Sequence, residues 1–208
     1  MAPELESVLM LGVLACEDVH VGGRSGELDA AIAATEAKVR ALAPADTALV
    51  RTMYHRLGLD PTRTRPSSEA LLRRVRKGDA LPRINTLVDI CNWCSLELQV
   101  PYGLYDRAVI EGAIELRRGL PGEEYAGIRK DSVHLDGRMT LADGHGPFGN
   151  PSADSLRTSI TEATTSCLAV IFSPRAHGEA WVLEAIDLTS SRLARFAGGR
   201  EVGRWVVT

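Results

Sequence analysis

The hydrophobic pattern changes character near residue 113. Before it, residues 7–16 form a short apolar run rich in Val and Leu, the signature of a buried strand. Residues 27–42 are Ala-rich with apolar positions at helical spacing, and Pro44 ends that pattern. Asp46 can cap a second helix over residues 47–57, stopped by Gly58. A Pro/Thr/Arg loop follows, and Pro66-Ser67-Ser68-Glu69 opens a third helix that ends at Gly78. Ile84, Leu87, Val88, Cys91, Cys94 and Leu98 recur at helical spacing and predict a fourth helix over residues 84–98. Beyond residue 113, short runs at 113–118, 124–128, 133–135 and 139–142 are separated by Gly, Pro and Asp, which predicts a β meander. Residues 143–159 read as a long polar loop, a feature that is usually functional in a compact domain. A β-branched apolar strand at 165–173, an amphipathic helix at 178–196 and a short strand at 201–207 close the chain. The expectation is a single α+β domain over residues 1–208, with a helical N-terminal half packed on a mainly antiparallel sheet running from about residue 113 to 173.

Composition agrees with one domain: 208 residues, 45% of them hydrophobic, are enough for a core without disulfide staples. A formal charge of −3 excludes a uniformly basic nucleic-acid coat and a strongly acidic disordered tail. The longest apolar runs are too short to span a bilayer, so no membrane partner is expected. The first residues, Met1-Ala2-Pro3-Glu4-Leu5-Glu6, carry acids where a secretory leader carries bases, which points to a cytoplasmic protein with reduced thiols at Cys16, Cys91, Cys94 and Cys167. Cys91 and Cys94 form a lone C-x-x-C with no second ligand pair at a matching spacing, so they read as core-facing residues and no metal is expected. No Walker motif, dinucleotide fingerprint or nucleophile elbow is present, and no cofactor is expected. Charge is nevertheless uneven. Residues 51–83 hold nine bases against Asp60, Glu69 and Asp79, a local excess of six on an otherwise acidic chain. Such a stripe either focuses a polyanion or is a solvated, Arg-rich helix face.

Two stretches carry a resemblance. One runs from Leu81 through Val88, Asp89, Asn92, Leu96, Glu97, Leu98 and Pro101 to Asp106; the other contains Arg117, Arg118, Gly122 and Glu123 and is followed by Thr161, Thr164 and Thr165. Together they resemble the B3/B4 domain of the bacterial phenylalanyl-tRNA synthetase β subunit, most strongly over residues 63–173. Residues 1–62 would then supply an N-terminal strand and helices, and 174–208 a closing helix and strand. Residues 63–74 and 146–158 look like free-standing relatives of that domain. A length of 208 residues leaves no room for a synthetase catalytic core, so the likeness is to a standalone editing-type domain.

In the synthetase this domain hydrolyses wrongly charged aminoacyl-tRNA. The resemblance therefore implies an aminoacyl-tRNA deacylase, a carboxylic ester hydrolase acting in trans, with mischarged tRNA as partner and neither DNA nor membrane involved. Orientation supplies much of the rate for so activated an ester. Two departures stand out. Gly103 occupies the place of the family's histidine, and Ser159 that of a glutamate before the T-x-x-T-T run. Asn92 matches the family's pocket asparagine, and with Tyr105 and Asp154 forms the expected catalytic set. Tyr102, Gly103, Asp106, Asn150, Ser155, Arg157, Thr158 and Ser159 are the expected substrate-binding set, placed between the helix at 84–98, a turn at 102–106 and the loop at 146–159. Arg63, Arg65, Arg73, Arg74, Arg76, Lys77 and Arg83 are the expected tRNA contacts. His145, flanked by two glycines, reads either as a general base or as an exposed bystander. Some free-standing members of the family deacylate canavanyl-tRNA(Arg), and the polar loop makes that ester the first substrate to test. Two other functions fit the same residues: a non-catalytic tRNA- or RNA-binding module, and a binder or hydrolase of a small amino-acid derivative.

Overall fold

The computed structural model describes residues 1–41, 47–128 and 130–208. Asp46 and Pro44, read above as helix signals, lie outside them. In chain order the elements are α1 (Pro3–Glu6), β1 (Leu9–Glu17), α2 (Gly26–Ala41), α3 (Ala48–Arg56), α4 (Ser67–Arg76), α5 (Thr86–Leu98), β2 (Tyr102–Asp106), β3 (Glu115–Arg118), β4 (Glu124–Gly127), β5 (Lys130–His134), β6 (Met139–Asp143), β7 (Gly146–Asn150), β8 (Ala153–Asp154), β9 (Ser166–Pro174), α6 (Glu179–Ala197) and β10 (Arg200–Val207).

A four-stranded antiparallel sheet in the order β10-β1-β9-β2 forms the centre. Its two long inner strands are buried almost throughout, which is why their sequences read as unbroken apolar runs rather than alternations. One face carries the helices. Gly12 on β1 lets α6 approach so closely that a Cβ there would meet Val182 at 2.9 Å and Ile186 at 3.2 Å. Between α5 and α6, Arg192 is almost wholly buried: its guanidinium lies 3.5 Å over the Trp93 ring, donates to Cys94 Sγ at 3.4 Å and pairs with Glu97. The other face meets a second sheet, β3-β6-β7-β8, and the β4-β5 hairpin packs against β7 and β8 of that sheet.

Three expectations need correction. The meander does not share a sheet with residues 166–174; β9 pairs with β1 and β2, and the meander forms separate sheets. Residues 102–106 are a strand, not a turn. All five are buried, so no alternation marks them. Residues 143–159 are not one long loop: β7 and β8 run through them. Pro147 sits where the β6–β7 register shifts between Leu141 and Ala142, the irregularity that accommodates a residue with no N–H.

Candidate functional site

The side chain of Tyr105 is the centre of the expected site, and it is entirely buried. It projects from edge strand β2 towards the second sheet. Its ring wedges between two glycines: a Cβ on Gly103 would meet Tyr105 Cζ at 2.6 Å and Cε2 at 2.8 Å, and a Cβ on Gly149 would meet Cε1 and Cζ at 2.6 Å. Phe148 packs edge-on against the ring at 4.9 Å between centroids. The space that a side chain at position 103 would claim is therefore filled by Tyr105.

The Tyr105 hydroxyl donates to Asp154 Oδ1 at 2.8 Å. Asp154 also accepts the Leu104 backbone N–H. Its role in the edge is concrete: β2 has β9 on one side only, and its outer N–H groups are met by Asp154 and by Thr158 O, which accepts from Asp106 N at 2.9 Å. Burial disfavours the Asp154 carboxylate more than these two donors favour it, and its pKa is pushed up to about 7. Asp154 in turn helps to raise the Tyr105 hydroxyl, chiefly lifted by burial, well above the usual range. Cys91 lies close enough for the Asp154 charge to act on its thiol, which burial lifts well above its ordinary value. Asn92 follows it on α5 and is half-buried. The fold thus joins Tyr105 directly to Asp154 and brings the middle of α5 beside them.

The remaining expected substrate-binding residues have structural partners. Tyr102 points to the opposite face of the central sheet, its hydroxyl 3.0 Å from Thr189 Oγ1 on α6. Asp106 caps the turn after β2 by accepting from Ala108 N at 3.0 Å, and it accepts from Thr164 Oγ1 at 2.6 Å. Asn150 Oδ1 accepts from Ser152 N and Ala153 N, holding the β7–β8 turn, while its amide donates to the Tyr125 hydroxyl. Ser155 and Thr158 share a hydrogen bond of 2.9 Å, and Ser159 donates to Leu156 O. Arg157 forks onto Asp143, whose side chain is fully buried. His145 lies at the surface beside Glu111, 3.1 Å away. A Ser173–His177 hydrogen bond of 3.0 Å lies elsewhere, but Ser173 is fully buried and cannot meet a substrate there.

The basic stripe divides. Arg63, Arg65, Arg73, Arg74 and Lys77 are exposed and Arg76 is half-buried. Arg73, Arg74 and Arg76 occupy the last turn of α4, where cations also favour the helix dipole. Arg65 lies 3.9 Å from Glu69, which Arg51 already holds with two hydrogen bonds. Arg83 is different: it is drawn inside, 2.8 Å from Asp29 and 3.7 Å from Glu36. Among the described residues, no cluster of three or more His, Cys, Asp or Glu side chains is placed to hold a metal ion. No helix among them is long and apolar enough to cross a membrane.

Residues 49–196 match the family model described as the B3/4 domain. The phenylalanine–tRNA ligase beta subunit of Streptomyces avermitilis is 38% identical over 93 residues, covering 44% of this chain and 11% of that protein. Its counterpart from Xanthomonas oryzae pv. oryzae is 32% identical over 123 residues, covering 57% and 15%. The chain thus spans a small part of the length of these relatives. A crystal structure of an N-terminal fragment of the phenylalanyl-tRNA synthetase beta-subunit from Pyrococcus horikoshii gives a TM-score of 0.47 at 16% identity, over 59% of this chain and 45% of that one. The family match runs unbroken through α5, β2, β7 and β8, the elements that frame Tyr105 and Asp154, and on these grounds the chain belongs to the B3/4 domain family.

Proposed function

We propose that this protein acts on tRNA, as a deacylase that hydrolyses mischarged aminoacyl-tRNA in trans. The observation that carries the reading is the Asp154 carboxylate, held by Tyr105 and Leu104 with a pKa raised to about 7, inside a domain whose relatives are phenylalanine–tRNA ligase beta subunits. A base poised near the working pH is what general-base activation of water requires. In this reading Asp154 takes a proton from water as the oxygen attacks the ester carbonyl. The acyl–oxygen bond breaks, the terminal ribose oxygen leaves with the proton that Asp154 returns, and free amino acid and tRNA result. Asn92 would donate to the carbonyl oxygen, and Tyr105 positions Asp154. The exposed bases on and before α4 would meet tRNA phosphates.

Canavanyl-tRNA(Arg) is the proposed substrate. A guanidinooxy group carries several N–H donors and suits a polar-lined site better than an aromatic slot does, although both oxygens of Asp106 are already engaged. That group is also far less basic than guanidinium, and a weakly anionic site cannot repay desolvation of arginine's full charge. The test offers arginyl-, canavanyl- and tyrosyl-tRNA side by side to purified protein. Selective loss of the canavanyl ester is expected. Equal hydrolysis of the arginyl ester, or activity on the tyrosyl ester alone, would reject the substrate. Tight, salt-sensitive tRNA binding without hydrolysis of any ester would favour a non-catalytic module.

A further inference from the structure

The open space on the sheet face that carries Tyr105 lies elsewhere along that face. Tyr105 pairs with Leu168 across the β2–β9 ladder, and Leu168 walls a two-lobed cleft that continues towards β10. Val13, Ile114, Leu168 and Trp205 line both lobes. The larger lobe, about 490 Å³, adds Arg107 and Ser166; the smaller, about 150 Å³, is almost wholly apolar. The larger falls in the ordinary range of small-ligand sites.

Trp205 decides what such a cleft can hold. It is 53% exposed, an unusual state for so large an apolar ring. The indole lies over Gly203 on its own strand, where a Cβ would meet Cζ2 at 2.8 Å and Cζ3 at 3.0 Å. A glycine beneath the ring lets it lie against the backbone. Arg107 stands at the polar lobe with its side chain 43% exposed. It pairs with Glu17 at 2.9 Å, a contact exposed on both sides and therefore weak. A bare aromatic face and an arginine that a phosphate can draw off its surface partner form the usual pair of contacts for a nucleotide: stacking for the base and a charged fork for the phosphate.

The geometry points to a purine-nucleotide site in this cleft, with the base stacked on Trp205 and the phosphate on Arg107. Neither lobe is lined by Asn92, Tyr105 or Asp154, so the cleft stands apart from the residues proposed for catalysis; a free purine nucleotide and the 3′ end of an RNA share the chemistry it would take.

Tryptophan fluorescence tests it, because Trp93 is buried and Trp181 only half-exposed. The probes are AMP, adenosine, and short RNAs ending in CCA or in CC. AMP and the CCA RNA are expected to quench Trp205 emission. Measured by titration calorimetry, since these variants lack the reporting ring, Trp205→Leu should weaken AMP binding about ten- to hundredfold, the scale of one lost stacking contact, while Trp205→Phe keeps most of it. Arg107→Ala should weaken AMP but not adenosine. Quenching by the CCA RNA and not the CC RNA assigns the site to the tRNA end. Quenching by AMP with no preference between the RNAs assigns it to a free nucleotide. Failure of both AMP and CCA RNA to quench, with tRNA still bound, overturns the site and leaves the tRNA reading intact. Quenching by AMP without any tRNA binding overturns that reading and keeps the site.

Discussion

Replacing Gly103 with alanine puts a methyl carbon 2.6 Å from Tyr105 Cζ and 2.8 Å from Cε2. The ring has nowhere to go. Gly149 flanks it on the other side, Phe148 packs on it, and its hydroxyl is fixed to Asp154. Overpacking of this kind costs about 1–3 kcal/mol. If the ring is expelled, the bond to Asp154 is lost as well, at about 1.5–3 kcal/mol for a charged acceptor. Alanine recovers about 0.5–1 kcal/mol over glycine in an extended strand. Both costs together, less that gain, give a net loss of about 1.5–5.5 kcal/mol, or a fall of roughly 3–20 °C in Tm for a chain of this size. Thermal and urea unfolding of Gly103→Ala measure it, and a second background isolates the cause. With Tyr105→Val the obstacle is gone, so adding Gly103→Ala should no longer destabilise and should gain about 0.5–1 kcal/mol, the difference between the two backgrounds measuring the coupling. An equal cost in both backgrounds would refute the claim that Tyr105 occupies the space above residue 103.

Other outcomes follow from the same contacts. Asp154 has a folded pKa of about 7 against 3.8 in the unfolded chain, so the native state binds more protons between those values and stability falls as pH rises through that window, by at most about 4 kcal/mol. Asp154→Asn should flatten this slope in unfolding curves taken from pH 4 to 8; an unchanged slope would remove Asp154 as its source. Because the Tyr105 hydroxyl lowers the Asp154 pKa, Tyr105→Phe should move the rising limb of the deacylation pH profile upwards, and a downward shift would contradict the pair. Arg73→Glu with Arg74→Glu should weaken tRNA binding and reduce its dependence on salt, whereas Arg83→Ala should instead lower Tm, since Arg83 pairs with Asp29 inside the helical layer. Arg192→Leu should cost about 0.5–2 kcal/mol in chemical unfolding by removing the contact over Trp93, because Glu97, whose side chain is 41% exposed, stays hydrated when its partner is lost; a neutral result would show that the stack between α5 and α6 contributes nothing.

Helices and inner strands were legible because each has one dominant periodicity. The run at residues 7–16 became β1, and the spacing from Ile84 to Leu98 became α5. The site was less legible because its signal depends on who covers whom. Tyr102-Gly103-Leu104-Tyr105-Asp106 has no alternation, since both faces of this edge strand are covered, by α6 at Tyr102 and by Phe148 at Tyr105. The polar density of residues 143–159 suggested a binding loop, yet most of those groups close turns on themselves: Asn150 on Ser152, Ser155 on Thr158, Arg157 on Asp143. Among the residues proposed for catalysis, the Tyr105–Asp154 bond links positions 49 apart in sequence, and only the folding of β8 against β7 brings Asp154 to the edge of β2. Trp205 was missed because it stands on a strand whose exposure follows no simple period.

One local signal did mark both ends of that sheet face. Gly103-Leu104-Tyr105 on β2 and Gly203-Arg204-Trp205 on β10 each place a glycine two residues before an aromatic, so the ring lies back over the bare backbone at both outer strands. The outcomes differ because the cover differs. β7 closes over Tyr105 with Phe148 and Gly149, leaving it fully buried, while Trp205 stays half open at the cleft. The same substitution should therefore behave oppositely at the two sites. A methyl at position 203 meets only the outer edge of an exposed ring, which can swing into solvent, so Gly203→Ala should cost no more than about 0.5 kcal/mol, the ordinary range for surface changes. It should nevertheless tilt the indole and reduce quenching by AMP. A large stability loss in Gly203→Ala would mean that Trp205 is as firmly held as Tyr105 and not free to stack; unchanged quenching would mean that its seating on Gly203 does not set the stacking face.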